Sequence, residues 1–527
     1  MFGKHAVFSF CLAFPVLLLC FAAPSQGARI VATSTADQLA NDTRCTLREA
    51  IESANQDQAL FGCTAGSGPD LIELNFTNPV VLTRAGGNED DNQTGDFDIT
   101  EDLTIRPLFL NNVVTIDAAG LDRVFDLFGG ADLTLQNLRI TGGVVIPFGG
   151  GVFVRQASST LRLIDAQVVD NEASLFGGGV YGTGPVFLEG TSVESNRAAV
   201  GGGIYMDSDD VLDLQASRLR GNRATSDGGG ASVRRLIFRD STVVGNRADR
   251  DGGGVAWRLD GGASDVSFLI NSTVAENSSF RDGGGLFFDS PGIIELYNTT
   301  VAWNVADEDA DGVGSGGGVF VDDGQVRPRN SVVASNLVPT AGGANVAPSD
   351  CFGALSSLGH NLFGVVDPGD CQIGGTANGN LTGTVADPID AELDCLMTTG
   401  GPGVVKPFAG SPVIDAGEAA GCMDVGGGTL AADQLGNVRP WDGFDPDLVA
   451  RCDIGAVEFG APSPDFIFVD GFESGGTTLW SFMQAALPGD PSTEGTPRLR
   501  KRSARGGGGG ACVGPEILAR WRADRSE

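Results

Sequence analysis

Seven Gly-Gly-Gly triplets recur between residues 149 and 318, and their spacing limits what the chain can fold into. Their first glycines are Gly149, Gly177, Gly201, Gly228, Gly252, Gly283 and Gly316, separated by 28, 24, 27, 24, 31 and 33 residues. Asn171, Asn196, Asn222, Asn246 and Asn277 stand five or six residues ahead of their triplets, and Asn304 twelve ahead, after an insertion. A period of this length marks a stacked repeat. Each unit of such a rod buries its apolar face against its neighbours, and the outer surface does the work.

Between the triplets the apolar residues alternate, as in Leu161/Leu163, Val186/Leu188, Leu212/Leu214, Leu236/Phe238, Phe268/Ile270 and Ile294/Leu296. Period two means strands with one buried face. A second short strand follows each triplet, as in Val152-Phe153-Val154 and Ile204-Tyr205-Met206. Each repeat is therefore expected to hold two or three short strands. Glycine reaches φ > 0 and admits close backbone approach, so the triplets suit corners. A helical solenoid needs a 3.6-residue period, which is absent, and a propeller blade needs four strands in ~40 residues. About 25 residues with two or three strands is one coil of a parallel β-helix. Such coils stack ~4.8 Å apart. Residues 70 to 345 would supply roughly eleven of them. The recurring asparagines are expected to form a ladder, each amide bonding its copy in the next coil. Thr43-Arg44-Cys45-Thr46-Leu47-Arg48-Glu49-Ala50-Ile51 opens a helical segment running to about Asn55. A short amphipathic helix there would cap the open end of the rod.

Composition narrows the function classes. Lys and Arg number 34 against 67 Asp and Glu, a net charge of −33. That disfavours nucleic acid, whose phosphates need a basic face. It suits a soluble exported protein or a calcium binder. Lys4, the apolar run Ala6 to Phe21 and the small residues Ser25-Gln26-Gly27-Ala28 read as a secretory signal over 1–28. No later stretch is long and apolar enough for a membrane helix. Of the ten cysteines, Cys11 and Cys20 fall in the signal. Three local pairs are expected from the rest: Cys45–Cys63, Cys351–Cys371 and Cys422–Cys452, each worth roughly 3 kcal/mol. Cys395 and Cys512 are left over, and no C-x-x-C occurs.

Several motifs resemble a known family. Cys45-Thr46-Leu47-Arg48-Glu49-Ala50 resembles the CSLREA motif of bacterial secreted proteins. Glu89 to Ile99 is similar to an acidic segment that often follows it. The Gly-Gly-Gly and Ser-x-Val-x-x-Asn repeats resemble those of polymorphic outer-membrane proteins. Gly359-His360-Asn361-Leu362, Gly410 to Gly417 and Cys452-Asp453-Ile454-Gly455-Ala456-Val457-Glu458 resemble the choice-of-anchor Q region. The resemblance covers residues 43 to 459. It implies a right-handed parallel β-helix, displayed on the surface of a Gram-negative bacterium or released from it, with no established reaction. The expected organisation is a signal peptide (1–28), a cap and first coils (29–130), the glycine-triplet β-helix (131–345), a choice-of-anchor-like region (346–460), a module at 461–481 and a tail at 482–527. The module centres on Asp470-Gly471-Phe472-Glu473-Ser474-Gly475. The tail is basic, glycine-rich and read as disordered.

No residues are assigned a catalytic role. Residues 29 to 527 contain one histidine, His360, so a Ser-His-Asp triad must use it, and no Gly-x-Ser-x-Gly elbow accompanies it. The lysines there are Lys406 and Lys501, and Pro407 after Lys406 excludes a P-loop. Many parallel β-helices cleave acidic polysaccharides, so a lyase or hydrolase is the alternative to a non-enzymatic binder; only fold analogy supports it. The pairs Asp209-Asp210 and Asp322-Asp323 equally suit turns on an acidic rod. Asp307-Glu308-Asp309-Ala310-Asp311-Gly312 has the D-x-D-x-D-G spacing of a Ca²⁺ loop. Gly318 stands where its twelfth-position Glu belongs, and Asp322 or Asp323 is the expected substitute. A solvated turn is the plain alternative. From Arg197 to Arg258 the chain holds ten Arg against eight Asp. Arg197, Arg223 and Arg247 each follow a ladder asparagine, so they are expected at equivalent corners of three successive coils. Glu172, Ser278 and Val305 hold that position in the flanking repeats. The three arginines would bind an anionic glycan or a cell-surface partner. Asp227, Asp249 and Asp251 could instead neutralise them.

Overall fold

The computed structural model describes residues 27–462 apart from 88, 259–265, 377, 395, 397–402, 420 and 443–448. Most of the signal segment, Cys395, the Asp470 module, Lys501, Cys512 and the 482–527 tail lie outside the described residues.

The repeat builds a parallel β-helix, and one coil shows how. After the triplet at 201–203, Ile204–Met206 and Val211–Gln215 lie in one sheet, Arg218–Arg220 in a second and Arg223–Ala224 in a third. That makes four short strands where two or three were expected, because the two residues after the ladder asparagine also pair. Leu212 and Leu214 are fully buried, while Asp213 between them is half-buried on the outer face. The two leucines sit in register with Val186 and Leu188 on one side and Leu236 and Phe238 on the other. Each such side chain contributes roughly 1.5–3 kcal/mol by leaving water. Among the described residues, twelve strands form the second sheet, from Val80–Val81 to Leu381–Thr384. The last two lie beyond residue 345, which leaves ten rungs where the period gave eleven.

The triplet glycines have two separate reasons. Gly201 turns the corner with φ 62°, a region open to glycine at little cost. A Cβ on Gly202 would stand 2.6 Å from the Gly229 carbonyl oxygen, and one on Gly203 2.5 Å from that of Gly230. The first glycine bends the chain, and the other two let the coils stack.

Asn196 shows the wiring of the ladder. Its backbone N–H and its Nδ2 both donate to Asn222 Oδ1 at 3.0 Å, and Nδ2 also donates to the Val168 carbonyl at 2.9 Å. The same connections run through Asn171, Asn196, Asn222, Asn246, Asn277 and Asn304. They continue to Asn336 and end on Asp350, whose Oδ1 accepts the Asn336 N–H and Nδ2. Asn336 precedes no triplet, so the glycine spacing did not reveal it. Thr191, Ser217, Ser241 and Ser272 form a parallel column, each backbone N–H donating to the next hydroxyl. This column explains the serine of the Ser-x-Val-x-x-Asn repeat.

The cap helix spans Leu47–Asn55, starting at the N-cap Thr46 rather than at Thr43. Thr46 Oγ1 accepts the Glu49 N–H, and the Glu49 carboxylate accepts the Thr46 N–H, a reciprocal capping box. The three expected disulfides form, with Cα–Cα distances of 4.9, 5.4 and 5.4 Å for Cys45–Cys63, Cys351–Cys371 and Cys422–Cys452. Beyond Thr384 the chain returns along the rod as a strap. Gln434 Nε2 donates to Ser241 O and Thr242 Oγ1, Asn271 Nδ2 to Ala432 O, Asn298 Nδ2 to Met423 O and Asn330 Nδ2 to Asp453 O.

Candidate functional site

Arg48, on the cap helix, is fully buried and pairs through Nε with Asp37 at 2.6 Å. Its other nitrogens donate to Asp96 O and Gly95 O at 2.8 Å and to Asn92 Oδ1 at 3.3 Å. Asn92 Nδ2 returns a bond to Arg48 O at 3.0 Å. One guanidinium thus pins the acidic 89–96 segment against the end of the rod. The two neighbouring sequence motifs are one structural unit.

Under that segment lies a cleft of about 330 Å³, lined by Glu89, Asp96, Asp122, Arg123 and Arg155 and rimmed by the exposed Val144 and Ile146. Asp98 and Asp126 lie on paired strands, Phe97–Ile99 and Phe125–Leu127, directly opposite each other in register, and Asp126 meets the lining arginines Arg123 and Arg155. Phe97, Ile99, Phe125 and Leu127 fill the core, so the aspartates between them face outward beneath the segment. Arg123 pairs with Asp96 at 3.2 Å and with Asp126, and Arg155 Nη2 bridges Asp126 at 2.5 Å and Asp90 at 2.9 Å. Burial pushes Asp96 up to about 8, aided by Asp122 and Asp98 and opposed by Arg123. Burial likewise pushes Asp98 up to about 7, with Asp126 adding to the shift and the Asn92 N–H opposing it. Arg155 is held above its ordinary value by its bond to Asp126. In the sequence, residues 89–99 stand out only by their resemblance to a family segment, and nothing there by itself announces the cleft. The available signal was the matched Phe-Asp-Ile and Phe-Asp-Leu at 97–99 and 125–127, one coil apart.

The arginine stripe has the register its spacing called for: Glu172 pairs with Arg197, Arg197 with Arg223, Arg223 with Arg247 and Arg247 with Ser278. Arg197 and Arg223 are exposed, and Arg247 is half-buried. Asp249 lies 3.3 Å from Arg223 and 3.8 Å from Arg247, which also meets Glu308 at 3.0 Å and stacks on Phe280. Asp227 and Asp251 face Arg250 and Arg258 instead of the stripe. Of the three aspartates expected to neutralise the stripe, only Asp249 reaches it.

Asp307, Asp309 and Asp311 bring carboxylate oxygens within 4.8 Å of one another. Asp307 is buried, and its oxygens accept N–H groups of Asp311 and Gly312. Burial raises it to about 6, against those N–H groups and with help from Asp311 and Asp309. Asp322 and Asp323 do not join this cluster; they lie on the Val319–Arg329 strand, where Asp323 pairs with Asp289. His360 is a corner residue at φ 55°, one coil after Asn330 at φ 51°, and its Nδ1 lies 3.5 Å from the Ala416 carbonyl. Lys406 belongs to the strap, where its carbonyl accepts the Asp394 N–H. Among the described residues, His360 joins none of the acidic clusters.

No family model and no curated protein sequence matches this chain. Among solved structures it is similar to the crystal structure of pectate lyase Pel9A, at 12% identity and a TM-score of 0.31, over 82% of this chain and 96% of that one.

Proposed function

We propose that this protein is an exported, non-enzymatic β-helix that binds anionic glycans or partner surfaces along its side. The observation carrying this reading is the in-register column Arg197–Arg223–Arg247, whose first two members are exposed. Guanidinium groups on adjacent coils, ~4.8 Å apart, repel one another. An anionic chain lying along the rod would relieve that repulsion, because each fork can take a carboxylate or sulfate in two parallel bonds. The signal-like start and the CSLREA and choice-of-anchor motifs support display on, or release from, a Gram-negative cell. The described residues contain no helix long and apolar enough to cross a membrane.

A polysaccharide-cleaving enzyme is the second reading, and the acidic cleft under residues 89–96 is what favours it. Against it, Asp126 holds Arg155 in its charged form, which a proton-abstracting base must leave. His360 and Lys406 sit at a corner and in the strap.

The test is a panel of immobilised acidic and neutral glycans, at low and high salt and with and without Ca²⁺. Binding to acidic members that fades with salt is expected, because exposed charges are screened. Equal binding to neutral members would overturn the ligand class. New reducing or unsaturated ends in the same incubations would overturn the non-enzymatic reading.

A further inference from the structure

We propose that Asp90, Asp98 and Asp126 hold a Ca²⁺ ion that ties the 89–96 segment to the first coils of the rod. The inference stands apart from the glycan reading and uses different residues.

Each of the three carboxylates offers an oxygen within 4.8 Å of the other two. Ligands of one Ca²⁺ lie ~2.3–2.6 Å from it, so two of them can be at most ~5.2 Å apart. The oxygens therefore already occupy the volume of a single coordination sphere. Asp98 and Asp126 reach it from opposing positions on paired strands, and Asp90 reaches it from the covering segment.

Of the three carboxylates, Asp98 makes no ion pair among the described residues. Arg123 serves Asp96 and Asp126, and Arg155 serves Asp90 and Asp126. Asp98 is 1% exposed; its Oδ2 accepts the Asn92 N–H at 2.7 Å, and its Oδ1 is buried with no hydrogen-bond partner. A buried carboxylate oxygen left without a partner, opposite a second carboxylate, is costly. Like charges directly opposite on paired strands add to that cost. A divalent cation removes both penalties. Asp126 can serve both arginines and the ion together: its Oδ2 accepts from Arg123 and Arg155, while its Oδ1 accepts only from Arg155 Nε and keeps a second lone pair. All three donors are hard oxygens, which selects a hard cation, and the adaptable coordination of Ca²⁺ suits ligands from three separate segments. Asp90 is exposed and gives the ion a path from solvent.

The competing explanation is a proton on Asp98, and the test separates the two. The full chain, stripped with a chelator and dialysed, is titrated with CaCl₂ by calorimetry, and its thermal midpoint is measured with and without the ion. The same is done for Asp98→Asn, for the exposed-site variant Asp90→Asn and for Asp309→Asn, which isolates the Asp307 loop. The expected result is that wild type binds Ca²⁺ and melts higher with it. One bound ion per chain is lost in Asp98→Asn, its binding is weakened in Asp90→Asn, and it persists in Asp309→Asn. Wild type that binds no Ca²⁺ would overturn the proposal, as would Asp98→Asn and Asp90→Asn variants that bind as wild type does. Loss of all Ca²⁺ binding in Asp309→Asn alone would assign the ion to the other loop and overturn it too. If Asp98→Asn fails to fold, Asp90→Asn decides, since its side chain is at the surface.

Discussion

The column of asparagines from Asn171 to Asn336 and the column of aspartates at Asp98 and Asp126 are built by the same stacking of coils. They differ in what a side chain can do with its own copy. An amide both donates and accepts, so each asparagine satisfies the next as far as Asn336, and one acceptor, Asp350, ends the column. A carboxylate only accepts, so its copy one coil away is a liability that outside cations must answer. Arg123 and Arg155 answer it in part. The arginine stripe is the mirror case, donors only, with Asp249 and Glu308 as partial partners. Self-satisfying columns hold the rod together, and columns that cannot satisfy themselves are where another molecule is wanted.

Breaking the cover of the aspartate column should have the largest effect. Arg48→Met would leave the buried Asp37 carboxylate without its cation, with only the Thr83 and Arg84 N–H groups on Oδ2, and release the carbonyls of Gly95 and Asp96. Removing one partner of a buried pair typically costs 3–5 kcal/mol, and the further lost bonds place this change at about 5 kcal/mol. Faster hydrogen exchange over residues 89–98 and a lower melting midpoint are expected; unchanged exchange there would mean Arg48 does not hold the segment. Asn246→Ala should follow, at about 4 kcal/mol, because it takes the acceptor from the buried Asn222 N–H, one of two acceptors from Asn222 Nδ2, and the Asn246 Nδ2 bond from the Leu219 carbonyl. Thermal melts of Asn246→Ala against wild type give the number, and a loss under about 1 kcal/mol would deny the ladder its structural role.

The end of the ladder sharpens the comparison through pH. Asp350 stands where an asparagine would continue the column, and burial pushes it up to about 6, against bonds from Asn336 and Val365. Its native form thus holds a proton more tightly than the unfolded chain, whose value is 3.8. The stability it contributes is full below about pH 4 and is lost as pH rises through 6, by about 3 kcal/mol in all. Asp350→Asn keeps Oδ1 for Asn336 but turns an amide donor toward the Val365 N–H. The variant should be less stable than wild type at pH 4, with the gap closing by pH 7. Parallel stability curves would show that Asp350 does not carry this proton.

The glycine triplets, the alternating strands, the asparagine ladder and the cap helix were legible because each is a local pattern repeated along the chain. The three disulfides were legible because their partners are near in sequence. The acidic cleft was not, because it depends on which coils the 89–96 segment covers, and Arg48 decides that from 41 or more residues away. The burial of Arg48 itself was hidden, since an arginine on an amphipathic helix ordinarily faces water. The strap was hidden for a related reason: Gln434 meets Ser241 and Thr242 across nearly two hundred residues with no period to announce it. The stripe's register was readable from spacing, but the share of its charge answered by Asp249 and Glu308 was not.

The division between the two kinds of column is tested most directly by changing Arg197, Arg223 and Arg247 together to Gln. Binding to an acidic glycan at low salt and the thermal midpoint are then measured on the same preparation. Exposed and half-exposed ion pairs are each worth roughly 0–1 kcal/mol, so the midpoint should barely move. Binding to the acidic glycan should be lost, and binding to neutral glycans should be unaffected. A variant that binds the acidic glycan as well as wild type, or one that keeps binding but melts far lower, would contradict the division: the arginine column would then be structural, like the asparagines.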